Sequence, residues 1–215
     1  RQCFEGGCRK IRAARGSRAA PARCSIVCMG HRWRARWIWA DCEPVGEGRQ
    51  VVATRRVLDL TEPPTSAPTR TFAEAAYVLF VNGSEVARGP GRGNPRMRRY
   101  DVTDLAPFLV PGPNVLTLLG VHHGRANAWW MPGPTQASAL ARGGLVLEAD
   151  LGDEGLLVTD STWRGRVLDG WTTSPPTGLV SRRGREQIDL RALPADLHAV
   201  DPSDTSAWRP VVVRS

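Results

Sequence analysis

The apolar positions of this 215-residue chain fall in short runs that alternate or continue unbroken, and almost nowhere recur at helical spacing. Such runs predict strands rather than amphipathic helices. The clearest stretch covers residues 77–121. Tyr77, Leu79 and Val81 share one face of a strand and Val78 and Phe80 the other, so both faces are expected to be covered. Asn82-Gly83 supplies the two positive φ angles of a type I′ turn, and Val86 to Arg88 begins the return strand. Residues 115–121 are another continuous apolar run bounded by turn signals. Between them Leu105, Phe108 and Leu109 stand at i, i+3, i+4, which predicts one helical turn capped by Thr103 or Asp104.

The remaining chain continues in the same way. Residues 33–40 read as a strand start, with Trp37 and Trp39 on one face and Ile38 on the other. Residues 51–60 are β-branched and predict a strand, 62–68 an extended loop, and 70–76 the approach to the hairpin. Gly89 to Pro95 is a loop; it lacks the Lys-Ser/Thr of a phosphate loop, and its prolines remove amide donors. Residues 122–134 read as a long loop, 144–151 as a strand turned by 152–155 into its partner at 156–159. Residues 165–187 read as irregular, 189–193 as a short turn, and 211–213 as a last strand. About eight short strands with frequent turn chemistry predict an all-β fold, an antiparallel β-sandwich. The expected division is a disordered or spurious basic arm over 1–32 and a sandwich over 33–215.

Charge changes this picture only at one end. The net charge of +8 suggests nucleic acid, but residues 1–36 hold ten basic residues and one acid, while 37–215 hold 19 basic and 20 acidic. The globular part is therefore nearly neutral, and no nucleic-acid partner is expected. Lys10 is the only lysine, and an Arg bias with high Ala, Gly and Pro most simply reflects GC-rich coding sequence. Cys3, Cys8, Cys24 and Cys28 share the basic segment, but no ribbon or ββα pattern surrounds their spacing, so zinc is not expected. The first methionine is Met29, and residues 1–28 are expected to be upstream sequence read in frame, with a basic arm as the alternative. No apolar run is long enough to cross a membrane, and no secretory h-region is seen, which leads us to expect a cytoplasmic protein.

Few residues carry chemistry. Asp101, Asp104 and Asp160 read as turn and cap residues rather than as a catalytic pair, and no serine-hydrolase elbow is present. Asn82-Gly-Ser84 is formally a glycosylation sequon, but the hairpin accounts for it. The adjacent His122 and His123 point to opposite faces, which disfavours a shared metal. Together with Arg125, Trp129 and Trp130 they suggest a platform for sugar or for a neighbouring domain, with packing against the sandwich's own core as the alternative: rings cover the C–H faces of a sugar, and polar side chains bond its hydroxyls. Arg88, Arg92, Arg96, Arg98 and Arg99 form a basic loop, with Arg92 a candidate interface contact. No cofactor or metal is implied, and no acidic run names a calcium site.

The ordered segments WIW, YVLFVNGSEVARGPGRGNPRMRRYDVTDLAPFLVPGPNVL, GGLVLEADL, TDSTWR and DTSAWRP resemble the N-terminal β-sandwich of bacterial α-L-rhamnosidases. The resemblance covers residues 33–215. It implies a jelly-roll, galactose-binding-like accessory domain preceding an (α/α)6 catalytic barrel, which would be its partner, with rhamnose-containing glycans as a further one. The chain has no match to that barrel, so it is expected to be a non-catalytic fragment whose parent is a glycoside hydrolase. The alternative is a free-standing carbohydrate-binding module.

Overall fold

The structure, a computed structural model, describes residues 24–26, 32–42, 49–91, 100–123, 143–173, 186–202 and 205–214, the first three as backbone. Its strands are β1 (Cys24–Ile26), β2 (Trp37–Trp39), β3 (Gln50–Leu60), β4 (Pro68–Ala73), β5 (Ala76–Val81), β6 (Ser84–Gly89), β7 (Tyr100–Asp104), β8 (Gly112–His122), β9 (Leu145–Asp150), β10 (Leu156–Val158), β11 (Arg164–Val167), β12 (Trp171–Thr173), β13 (Glu186–Ile188), β14 (Arg209–Pro210) and β15 (Val212–Arg214). One sheet runs β1-β7-β4-β9-β2-β15, with β10 also on β9; the other runs β14-β11-β3-β8-β5-β6, and β12 pairs with β13 alone. Every pairing is antiparallel. The chain passes repeatedly from one sheet to the other, so the two layers form an antiparallel β-sandwich.

The hairpin forms as its sequence dictates. Asn82 has φ 50° and Gly83 φ 79°, the mirror-turn angles that match strand twist. The pairing shifts between Leu79 and Phe80, where Val86 is the extra residue of a bulge. Asn82 does more than turn the chain. Its Nδ2 donates to the Phe108 carbonyl at 3.0 Å and to Asn114 Oδ1 at 2.8 Å, and its Oδ1 accepts from the Val115 amide at 2.9 Å. The helical turn appears as a 3-10 turn at Ala106–Phe108, with Asp104 Oδ1 accepting from the amides of Ala106 and Ala67.

Several segments differ from expectation. Residues 68–73 are a full central strand; its inward positions Thr69, Thr71 and Ala73 are small or polar, which hides the alternation. The stretch read as irregular holds β12 and β13 and most of β11. All three residues of β13 are exposed, so no apolar signal marks it; Arg49 holds it by an ion pair to Glu186 at 2.6 Å. β2 is only three residues long, and residues 24–26 of the expected arm pair with β7. Asp101 is a buried strand residue, not a turn residue. Asp160 is the turn residue expected, accepting from the Thr162 amide at 2.8 Å.

Two apolar clusters follow from the two faces of β3 and β8. Val52, Leu60, Leu116 and Leu118 face inward with Tyr77, Leu79, Val81, Leu145, Leu147, Trp39 and Trp163. Val51 and Ala53 face outward and are covered by Leu168, Leu197 and Trp208, with Leu119, Val121 and Trp171 around them. Phe80 on the same outer face stacks against His198, ring centroids 4.5 Å apart. Both faces of this sheet are therefore covered around Val51 to Arg55, the outer one by the chain after β11, while Val57 and Asp59 farther along that face are exposed. Within the inner layer the Tyr77 hydroxyl donates to Asp101 Oδ2 at 2.7 Å, tying β5 to β7 across the sandwich. Gly89 makes room for this bond, since a Cβ there would lie 1.9 Å from Asp101 Oδ2.

Removing the hydroxyl leaves a buried carboxylate short of a donor. Tyr77→Phe is expected to lower stability by about 1–3 kcal/mol. Gly89→Ala, which forces the pair apart, should cost at least as much, roughly 1–3 kcal/mol; urea unfolding at neutral pH measures both. Burial, and then the neighbouring Arg55 guanidinium, push the His198 imidazole below its ordinary value. The folded state therefore favours neutral His198. Its contribution to stability is complete above the unfolded-chain value near 6.5 and is lost as pH falls through the lower folded value. Melting temperatures between pH 7.5 and 5 should fall less steeply in His198→Gln than in the unsubstituted chain.

Candidate functional site

The candidate site lies where β8 ends. The long antiparallel register of β3 and β8 places His122 opposite Gln50. β4 crosses to β5 through only Glu74 and Ala75, which brings the Glu74 carboxylate to the same end. Glu74 Oε2 accepts from the Gly143 amide at 3.1 Å and lies 3.6 Å from His122 Nδ1, within ion-pairing range but beyond a hydrogen bond. Gln50 Oε1 accepts from the Trp39 indole at 2.9 Å, and Arg214 Nη1 donates to the Gly143 carbonyl at 2.5 Å. Backbone bonding runs the same way, with the Glu74 amide donating to the Gly144 carbonyl at 3.0 Å.

The expected site residues divide in two. His122 is only 5% exposed and belongs to the buried base of this end, while His123 beside it is half-buried. Arg125, Trp129, Trp130 and Arg92 lie outside the described residues. Glu74 stands between the last strand residue before positions 124–142 and the first described residue after them, bonding the Gly143 amide and lying in ion-pairing range of His122. Sequence reading missed Glu74, Gln50 and Arg214. The one available signal was Glu74 itself, an acid inside the run Ala73-Glu74-Ala75-Ala76.

The other acids near buried surface are bound into the frame. Asp101 receives the Tyr77 hydroxyl. Glu148 accepts from the amides of Arg34 and Ala35 at 2.8 and 3.3 Å, pinning the segment before β2 to the outer side of its sheet. A glycosidase pair has to face across a sugar-sized gap, and these carboxylates sit in separate parts of the frame. Among the described residues no group of three or more His, Cys, Asp and Glu is placed to hold a metal ion. Glu74→Ala is expected to cost about 1–3 kcal/mol and to speed hydrogen exchange at the Gly143 amide. Glu74→Gln, which keeps an acceptor, should restore most of that protection.

No protein-family model and no curated protein matches the chain. Solved structures do. The GH78 family rhamnosidase of Bacillus sp. GL1 is 31% identical with a TM-score of 0.69, over 86% of this chain and 18% of its own. The α-L-rhamnosidase from Aspergillus terreus is 19% identical with a TM-score of 0.65, over 85% of this chain and 21% of its own. The α-L-rhamnosidase from Dictyoglumus thermophilum is 17% identical with a TM-score of 0.60, over 85% and 21%. The chain spans about a fifth of the length of these proteins. In fold, and in sequence toward the Bacillus enzyme, this chain is similar over most of its length to one β-sandwich portion of the much longer GH78 rhamnosidases.

Proposed function

We propose that residues 33–215 are the non-catalytic N-terminal accessory domain of an α-L-rhamnosidase-like glycoside hydrolase. The observation that carries this reading is the match to the Bacillus rhamnosidase, which takes in nearly all of this chain and only 18% of the enzyme. A unit of that share supports and positions the remainder, and its partner is the catalytic barrel of the same parent chain. Sugar contact, through rhamnose-containing glycans, falls to Arg125, Trp129, Trp130, His123 and Arg92. His122 and Glu74 act as positioning residues at the strand end that leads into positions 124–142.

The chain by itself is expected to leave p-nitrophenyl α-L-rhamnopyranoside intact, while the product of the coding frame extended beyond Ser215 hydrolyses it. Hydrolysis by residues 33–215 alone, lost on replacing an acid, would overturn the accessory reading. Tryptophan fluorescence titrated with L-rhamnose and D-galactose tests sugar contact. Loss of one stacking ring in Trp129→Ala or Trp130→Ala should weaken binding by roughly three- to tenfold. An unchanged spectrum with both sugars would reduce the role to support of the barrel.

A further inference from the structure

A second polar centre lies on the outer face of the β3 sheet, away from the Glu74 end. Arg55 on β3 and Arg166 on β11 both approach Trp208, their guanidinium carbons 5.2 and 5.8 Å from the ring centroid. Arg55 is 4% exposed and Trp208 6%. Arg55 Nη2 donates to the carbonyls of Ala199 and Val200, at 2.5 and 2.7 Å. Among the described residues its Nη1 has no hydrogen-bond partner, and neither do Arg166 Nε, Trp208 Nε1 and His198 Nδ1, all buried atoms.

Guanidinium and indole nitrogens only donate, and His198 Nδ1 donates in one of its two tautomers. In its accepting tautomer His198 Nδ1 can serve at most one of the three obligate donors, so at least two stay unpaired, whereas buried polar atoms in folded proteins are almost always paired. Asp196 and Asp201 act on Arg55 through charge but give its Nη1 no hydrogen bond. The missing component is an acceptor compact enough to reach several of these donors. An oxyanion offers several lone pairs within the span of one group and suits the planar donor fork of arginine. The half-buried side chains of Arg166 and His198 provide the open side.

We infer that Arg55, Arg166, His198 and Trp208 form a binding site for a small oxyanion of the phosphate, sulfate or carboxylate class, seated between the β3 sheet and the chain that covers it. Its occupant would join Arg55 and Arg166, on adjacent strands, to Trp208 in the cover. The site is independent of the rhamnosidase reading.

The test is the melting temperature of the whole chain at pH 7.5, titrated with sodium phosphate against sodium chloride of equal ionic strength. A saturating rise of about 5–10 °C at a hundredfold excess over the dissociation constant is expected. Phosphate also stabilises proteins non-specifically by exclusion from their surface, without saturation. Trp208→Phe, which keeps the ring and removes the donor, and Arg166→Gln separate the two effects. Each should abolish most of the saturating rise, and calorimetric titration should give about one phosphate per unsubstituted chain. A rise that does not saturate, or one equally large in both variants, would overturn the site.

Discussion

The pairing of β3 with β8 is the constraint on which the rest of the sandwich depends. It runs without a break from Gln50 opposite His122 to Leu60 opposite Gly112, and both faces of it are covered over residues 50–55, with Val57 and Asp59 exposed beyond them. A strand covered on both faces has no tolerance for slippage, because a shift of one residue turns every side chain over. Sliding β8 by one place would carry Leu116 and Leu118 out of the inner layer and Thr117 and Leu119 into it. The register also distributes the polar centres: Gln50 and His122 at one end, Asn114 near the other, and Arg55 on the outer face between them.

Polar side chains join what the apolar layers only press together. Tyr77 and Asp101 link the two sheets through the core. Glu148 and Thr159 bind the segment before β2, Thr159 donating to the Arg36 carbonyl at 2.7 Å. Asn82 and Asn114 lock the hairpin turn to the loop before β8, with Asn114 Nδ2 donating to the Val110 carbonyl at 2.7 Å. Each bond contributes on the order of 1 kcal/mol net, yet leaving one partner buried alone costs more than the bond supplies. These residues therefore act chiefly by specifying one arrangement of strands.

The sequence announced strands whose apolar residues are large. Gln50–Leu60, Ala76–Val81, Gly112–His122 and Leu145–Asp150 all lie close to their expected bounds. It hid strands held by backbone pairing or lined with threonine, as β4 and β13 show. The site was less legible still. The histidine pair drew attention to the correct end of β8, but Glu74, the carboxylate that organises that end, is far away in sequence and sits in an alanine-rich run. Likewise, Arg55 reads as one arginine among many in a strand, and only the folded chain brings it to Trp208 and His198. Spacing reports the face a residue occupies, whereas long-range partners are set by which strands become neighbours.

The same β3–β8 pairing carries a kinetic consequence. Its partners are far apart along the chain, and the β5–β6 hairpin lies wholly inside the loop they close. Closing that loop costs entropy before any of its contacts compensate, whereas the hairpin closes locally through Asn82-Gly83. The hairpin is then the natural first structure, β8 adds to it along β5, and β3 follows, opening the edge on which β11 and β14 pair. Until it does, the backbone edge of β8 that β3 will pair stays open, so the interval before β3 docks is when an unfinished chain is most exposed to association with its neighbours.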